Sequence, residues 1–345
     1  MALVHGASAF HAAQPCASMP PLMLRNALKA LGIVLLIVLV GGSIFVAMRQ
    51  NLKFVAPYPE VVASSDPAVI ARGQYIVRTA APCAACHGDP KERANWFTGA
   101  DVPLVGGFVF DIPPGQFYTR NLTPDADTGL GNVTDRAIAR ALRYGVGHDG
   151  RALLPFMEMQ GLSDDDLQAV VSYLRTLPPA RNPVPAHHYT LIGKVVKATV
   201  LANPVGPATP PPARAPRGAS VETGRYLVES VSLCWACHTQ RSQVTGALTG
   251  PRFGGATGYT EGDDPGRTWS PPNITSDAET GRLGGLTEDG FVARFRLGRL
   301  IPGSPMPWQA FSRMDEDDLR AIYRYLKSVP PVKNDVGAPM VSVKK

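Results

Sequence analysis

The sequence reads Cys83-Ala-Ala-Cys86-His87 at one point and Cys234-Trp-Ala-Cys237-His238 151 residues later. Residues i, i+3 and i+4 of a helical turn share one face, so two thiols and an imidazole meet on one side of each turn. The pattern is typical of covalent c-type haem attachment, in which both thiols form thioethers and the histidine reaches the iron. We therefore predict two covalently bound c-type haems, with His87 and His238 as iron ligands.

Two other uses of paired cysteines fit this sequence less well. A zinc ribbon places its two Cys-x-x-Cys pairs about 15–20 residues apart, far closer than these pairs lie. A thioredoxin-type dithiol belongs to a βαβ context, whereas helical patterns and Gly- and Pro-rich loops surround both motifs. Only five cysteines occur in 345 residues, too few for a disulfide-based scaffold.

The motifs belong to a longer internal duplication. Gly73-Gln-Tyr75 precedes the first motif as Gly224-Arg-Tyr226 precedes the second, and Asn121-Leu-Thr is repeated as Asn273-Ile-Thr. Each half ends in an amphipathic helix that a Pro-Pro pair stops. We therefore predict an all-α fold. Its boundaries are a domain over 54–182, a Pro-rich linker over 183–218, a second domain over 219–335 and a tail over 336–345.

The second axial ligand of each iron is less strongly indicated. Met306 lies between two prolines in a loop before the last helix, a suitable position for a methionine ligand. In the first half, alignment of the repeats puts leucine at the equivalent position. Met157 is the favoured ligand there, and Met159 and His148 remain alternatives.

An apolar segment near the N-terminus predicts a membrane helix over 27–48. No charged residue occurs from Ala30 to Met48, and about 20 such residues span a hydrocarbon core of about 30 Å. The segment is longer than a usual signal-peptide core and lacks an A-x-A-like cleavage site, which favours a retained anchor. Residues 1–26 are expected to be disordered.

Composition limits the choice of partners. Lys and Arg number 34 and Asp and Glu number 28, and the excess of 6 basic residues is spread along the chain. No basic cluster of the kind that binds nucleic acid is present, so we predict no nucleic-acid partner.

The segments Gln74-Tyr-Ile-Val-Arg-Thr-Ala-Ala-Pro-Cys83, Pro272-Asn-Ile-Thr275 and Met306-Pro-Trp308 resemble a known family. They are similar to the multihaem cytochrome c subunits of bacterial membrane-bound alcohol and sugar-acid dehydrogenases. The resemblance covers most of residues 66–330 and implies that two tandem class-I cytochrome c domains follow the N-terminal transmembrane helix that the apolar segment predicts. That family usually carries three haem motifs and tends to be anchored differently, whereas this chain has two motifs.

We therefore expect a membrane-anchored dihaem cytochrome c rather than an enzyme with its own substrate pocket. Its electron donor would be a periplasmic or membrane-bound dehydrogenase, and its acceptor a quinone, an oxidase or another cytochrome. Because haem is attached on the outer face of the bacterial inner membrane, both haem domains would lie in the periplasm. Two alternatives remain: a dihaem cytochrome c peroxidase and the dihaem subunit of a C-family haem–copper oxidase.

Overall fold

The computed structural model describes residues 21–81, 83–201, 203–259 and 267–342. The chain divides into two compact units, Met1–Met48 and Arg49–Lys345. Residues 1–20 of the segment expected to be disordered lie outside the described residues, whereas its residues 21–26 are helical, contrary to that expectation.

The first unit contains one long helix, α1, which runs from Pro21 to Met48. Its stretch Leu22–Met48 is long and apolar enough to cross a membrane, and its large side chains are exposed all around the helix. A surface helix of a water-soluble protein has a polar face toward water, and this helix has none. The segment is thus a signal sequence or an anchor, in agreement with the predicted membrane helix.

The first half of the second unit is helical around its motif. A π-helical turn, Ile76–Ala80, continues α2, and a 3₁₀ turn, Pro90–Glu92, precedes α4. The helices are α2 (Pro67–Tyr75), α3 (Ala84–His87), α4 (Arg93–Phe97), α5 (Asp135–Tyr144) and α6 (Asp164–Thr176). The hydroxyl groups of Thr134 and Ser163 cap α5 and α6, because each accepts a backbone N–H of the first turn.

The second half repeats most of this order of helices; within the described residues it lacks a counterpart of α4 and has one additional short helix before its last helix. Its π-helical turn, Leu227–Val231, again joins the first helix to the motif. The helices are α8 (Val221–Tyr226), α9 (Cys234–His238), α10 (Glu288–Arg296), α11 (Trp308–Phe311) and α12 (Glu316–Ser328). The duplication seen in the sequence is therefore also a duplication of local structure.

One glycine in each half allows two helices to cross closely. A Cβ atom added at Gly73 of α2 would lie 1.9 Å from the carbonyl oxygen of Ala169 in α6. A Cβ atom added at Gly224 of α8 would lie 1.9 Å from the carbonyl oxygen of Ala321 in α12. Real Cβ atoms do not approach so closely, so each crossing requires glycine. This explains why glycine occupies the same place in both repeats.

Two small antiparallel sheets supplement the helices, and the all-α prediction did not include them. One is formed by the strands β1 (Val109–Ile112), β2 (Gly115–Tyr118) and β3 (His188–Tyr189). The other pairs β4 (Arg267–Trp269) with β5 (Met340–Ser342), which lies inside the predicted tail. The fold is mostly helical, and the strands are too short to give a clear alternating pattern in the sequence.

The Pro-rich segment over 183–218 is structured where it contacts the first half. It contains α7, Leu191–Thr199, and its later part runs along the start of α6. There the backbone N–H of Asp164 donates to the carbonyl oxygen of Pro212, at 3.0 Å. The two halves also share one hydrophobic core cluster, which includes Val77 and Val228.

Candidate functional site

The first motif forms a single helical turn directly after the π-helical turn of α2. The backbone N–H of Cys83 donates to Val77, and that of His87 donates to the carbonyl oxygen of Cys83, at 3.0 and 2.7 Å. These bonds fix the turn against the buried end of α2. Cys83, Cys86 and His87 therefore stand on one turn, as the spacing predicted.

The second motif has the same form. Its turn, α9, starts after Leu233, whose backbone has a left-handed φ of 50°. Such a conformation is unusual for leucine and marks a position that the surrounding structure imposes. It lets the chain turn sharply from the π-helical turn into Cys234, and so brings Cys234, Cys237 and His238 onto one helical turn.

Each motif histidine is oriented by a backbone carbonyl group. Nδ1 of His87 lies 2.7 Å from the carbonyl oxygen of Arg120, and Nδ1 of His238 lies 2.8 Å from that of Pro272. A carbonyl oxygen can only accept, so Nδ1 carries the proton and Nε2 is the bare nitrogen. Burial also lowers the pKa of both imidazoles, which keeps them neutral. A neutral imidazole with a bare Nε2 is the form that binds a haem iron.

The sequence had not identified the two carbonyl groups as histidine partners. Arg120 and Pro272 each come directly before the repeated Asn-(Leu/Ile)-Thr segment. The repetition of that segment was the signal available in the sequence. Its connection with the histidines required the tertiary structure.

The repeated asparagines hold these carbonyl-bearing loops in place. Oδ1 of Asn121 accepts the backbone N–H and the hydroxyl group of Thr123, and Nδ2 donates to the carbonyl oxygen of Ala180 at 2.7 Å. Asn273 makes the same three bonds, to Thr275 and to Val332. Each asparagine thus fixes its loop through side-chain to backbone bonds.

The first cysteine of each motif is a neutral thiol. Burial raises the pKa of Cys83 to about 11 and that of Cys234 to about 12. A redox-active dithiol needs a lowered pKa, and so does a thiolate that binds zinc. Moreover, no group of three or more His, Cys, Asp or Glu residues that could hold a metal ion occurs within the part of the chain that the structure describes. These thiols thus lack the lowered pKa that a redox-active dithiol needs.

The methionines differ in their burial. Met157 and Met306 are half-buried and pack against the main core cluster, while Met159 is buried. Met314 is almost completely buried and fills the core, as predicted. His148 is exposed, in a loop closed by a bond from Gly147 N–H to Arg151. These differences in burial do not test the axial ligands, so Met157 and Met306 stay the predicted ones.

Comparison with known proteins identifies the class. Residues 70–178 match the family model for cytochrome c, and this part of the chain belongs to that family. It covers the first motif and the helices α2 to α6 that surround it. A c-type haem is therefore implied, and the geometry of His87 and Cys83 fits such a group.

Individual proteins match a longer part of the chain than the family model does. It is 32% identical over 308 residues to "Alcohol dehydrogenase (quinone), cytochrome c subunit" of Gluconobacter oxydans, a match over 83% of this chain and 61% of the relative. It is 29% identical to "Gluconate 2-dehydrogenase cytochrome c subunit" of Pantoea cypripedii, a match over 83% of this chain and 65% of the relative. It is 26% identical to "Diheme cytochrome c-type" of Cereibacter sphaeroides, a match over 78% of this chain and 91% of the relative. The chain thus spans less than two thirds of the two dehydrogenase subunits.

Proposed function

We propose that this chain is a membrane-anchored dihaem cytochrome c that transfers electrons between a dehydrogenase and the respiratory chain. It would consist of two tandem class-I cytochrome c domains, each with one covalently bound c-type haem. A bound haem supplies an iron that takes up and releases one electron at a time. The protein's part is to hold each iron, to set its potential and to exclude water.

One observation carries the proposal: both motifs have the same surroundings. In each half a π-helical turn leads into the Cys-x-x-Cys-His turn, and the histidine donates from Nδ1 to a backbone carbonyl group at 2.7 or 2.8 Å. In each half an asparagine directly after that carbonyl group fixes the loop. Chance recurrence of the short motif would not reproduce this whole set of contacts. It therefore supports a haem in the second half as well as in the first.

The comparisons support the proposed partners and the number of haems. Several relatives are named as cytochrome c subunits of dehydrogenases, which suggests a dehydrogenase as the electron donor. The chain covers 91% of the relative named as a diheme cytochrome. A chain with two motifs that spans nearly the whole of a dihaem relative is expected to hold two haems.

The axial ligands that we propose are His87 with Met157 and His238 with Met306. A thioether sulfur opposite an imidazole raises the reduction potential and closes the iron to other ligands. Both methionines are in contact with the hydrophobic core cluster that contains residues of both halves. This pair of closed irons would suit electron transfer and would disfavour a reaction with peroxide.

We further propose that α1 is retained as a single-pass anchor in the bacterial inner membrane, with the N-terminus inside and both haem domains in the periplasm. Haem attachment outside the cytoplasm requires this orientation. Its support within the chain is the length and the uniformly apolar surface of α1.

The test is to express the full chain in a host that can mature c-type cytochromes. The expected intact mass exceeds that of the polypeptide by two haems, and Cys83→Ala with Cys86→Ala removes one of them. Met157→Leu and Met306→Leu should each abolish the charge-transfer band of one Met-ligated ferric haem. The matched controls Met159→Leu and Met314→Leu should preserve both bands. A chain without haem would overturn the proposal, and an unchanged spectrum in Met157→Leu would overturn that ligand assignment.

A further inference from the structure

The helix α7 presents an apolar face that no other part of the described chain covers. Leu191, Ile192 and Val195 are 78%, 56% and 43% exposed. At 3.6 residues per turn these three side chains lie within an arc of about 100°, so they form one continuous stripe. Lys194 lies beside this stripe, whereas Lys197 is on the opposite side of the helix, over the ring of Tyr189.

The opposite face of α7 is fixed to the first half. A Cβ atom at Gly193 would lie 1.8 Å from the carbonyl oxygen of Pro114, and Val196 is buried. Thr190 caps the helix and donates its backbone N–H to Pro114, at 3.0 Å. The strand β3, directly before the helix, pairs with β2. The apolar stripe is therefore held outward by a rigid attachment and is not the side of a loose segment.

The residues directly after α1 are bound to this same helix. The Nε atom of Arg49 donates to the carbonyl oxygen of Ala198 at 2.6 Å. The amide nitrogen Nε2 of Gln50 donates to the carbonyl oxygen of Lys194 at 3.0 Å. Two further bonds, from Lys53 to Asp149 and from Phe54 to Gly150, continue the attachment to the first half. Residues 49–54 are thus bound to α7 and to the first half, and residue 49 directly follows α1 in the sequence.

The length of α1 indicates where the chain would leave a bilayer that α1 spans. The apolar stretch Leu22–Met48 has 27 residues and is about 40 Å long, whereas the hydrocarbon core is about 30 Å thick. Met48 therefore ends in the headgroup region, and Arg49 is the next residue. An apolar stripe with a lysine at its edge has the composition of helices that lie in the bilayer interface, where the lysine meets anionic headgroups.

We propose that the exposed face of α7, formed by Leu191, Ile192 and Val195, inserts into the lipid interface of the bilayer that holds α1. This second membrane contact would fix the orientation of the haem domains relative to the membrane plane. The proposal rests on one part of the proposed function, the retention of α1 as an anchor.

The experiment uses the full chain in a Cys16→Ala background, reconstituted into vesicles of phosphatidylcholine and phosphatidylglycerol. A nitroxide label is attached at Leu191→Cys or, separately, at Ile192→Cys. The matched control is Leu297→Cys, an exposed leucine of the second half that is 65% exposed. Power saturation then compares relaxation of each label by oxygen, which concentrates in lipid, with relaxation by a water-soluble nickel complex.

The expected result is that oxygen relaxes the labels on α7 several-fold more strongly than nickel does, and that the label at residue 297 shows the reverse. Equal nickel access at residues 191, 192 and 297 would overturn the proposal while the anchor remains. Low access to both reagents would also overturn it, because a protein contact would then cover the stripe. A chain that fails to float with the vesicles would contradict both the anchor and this inference.

Discussion

The hydroxyl group of Tyr75 donates a hydrogen bond of 2.6 Å to the carboxylate of Asp318, a residue 243 positions later in the other half of the protein. The same hydroxyl oxygen accepts the backbone N–H of Asp315, at 3.1 Å. A tyrosine of α2 thus binds the start of α12, the last helix of the second half.

The relationship is reciprocal. The hydroxyl group of Tyr226 donates to Asp166 at 2.8 Å and accepts the backbone N–H of Ser163 at 3.1 Å. In each half, the tyrosine two residues after Gly73 or Gly224 therefore forms hydrogen bonds with the start of the last helix of the other half. The two halves are related by an approximate two-fold arrangement, and a bond of 2.7 Å from Ser232 Oγ to the carbonyl oxygen of Ala80 joins the segments that lead into the two motifs.

Tyr75→Phe and Tyr226→Phe should each destabilise the protein by about 2 kcal/mol. Either substitution removes one hydrogen bond to a carboxylate and leaves one backbone N–H without its partner, and bonds to charged groups contribute about 1.5–3 kcal/mol. Denaturant unfolding of the full chain in detergent measures the effect. Tyr144→Phe serves as the control, because its hydroxyl group makes no hydrogen bond within the part of the chain that the structure describes. An equal loss in all three variants would contradict a specific role for the exchanged tyrosines.

Asp166 should make the stability of the protein depend on acid. Burial alone would raise its pKa, but the two bonds of 2.8 Å from Arg72 and the bond from Tyr226 hold the pKa below its ordinary value of 3.8. A carboxylate with a lowered pKa contributes stability above its unfolded-state pKa, and the contribution is lost as the pH falls through the folded-state pKa. Unfolding free energies measured from pH 6 down to the acid limit should therefore fall below about pH 4.

Asp166→Asn should remove much of that acid dependence and cost about 3 kcal/mol at neutral pH. The carboxylate is fully buried and Arg72 is largely buried, so the substitution leaves a charge without its partner. Asp127→Asn, which breaks an exposed pair with Arg181, should cost less than about 1 kcal/mol. If the two variants showed the same profile of stability against pH, the buried cluster would not be its source.

Gly73→Ala should destabilise the first half by about 3 kcal/mol or more, because the new methyl group would overlap the carbonyl oxygen of Ala169 and force α2 away from α6. Gly224→Ala should have the same effect in the second half. Thermal unfolding and the haem content of the purified protein are the two measurements. Gly285→Ala is the matched control, since nothing lies within 4 Å of a Cβ atom at that position. Normal stability of Gly73→Ala would mean that the helices cross at a greater distance.

Asn121→Ala and Asn273→Ala should each lower the free energy of unfolding by about 2–3 kcal/mol. Loss of the buried asparagine side chain leaves a threonine N–H and a backbone carbonyl group without partners. These loops also carry the carbonyl groups that orient His87 and His238, so the spectrum of the corresponding haem should change as well. Asn132→Ala removes an exposed asparagine with one bond, to Ala126, and should change neither property. A spectrum unaltered in Asn121→Ala would separate the loop from the orientation of the histidine.

The sequence by itself determined the two motif turns, the duplication and the long apolar helix. These features depend on contacts within a few residues: the spacing i, i+3, i+4 defines the face of one turn, and an uninterrupted apolar run defines a membrane-length helix. The caps at Thr134 and Ser163 were predictable for the same reason. All of them can be deduced from neighbouring residues alone.

Only the tertiary structure decided which groups meet across the chain. The carbonyl partners of His87 and His238 lie 33 and 34 residues further along the sequence. The bond from Tyr75 to Asp318 joins residues that are 243 positions apart. Such contacts depend on how whole helices and halves pack, and packing is set by the sum of many weak interactions that no local spacing encodes. The same is true of α7, whose apolar residues were visible in the sequence. Its attachment to Arg49 and Gln50, and the outward face that this leaves, could be seen only after the chain had folded.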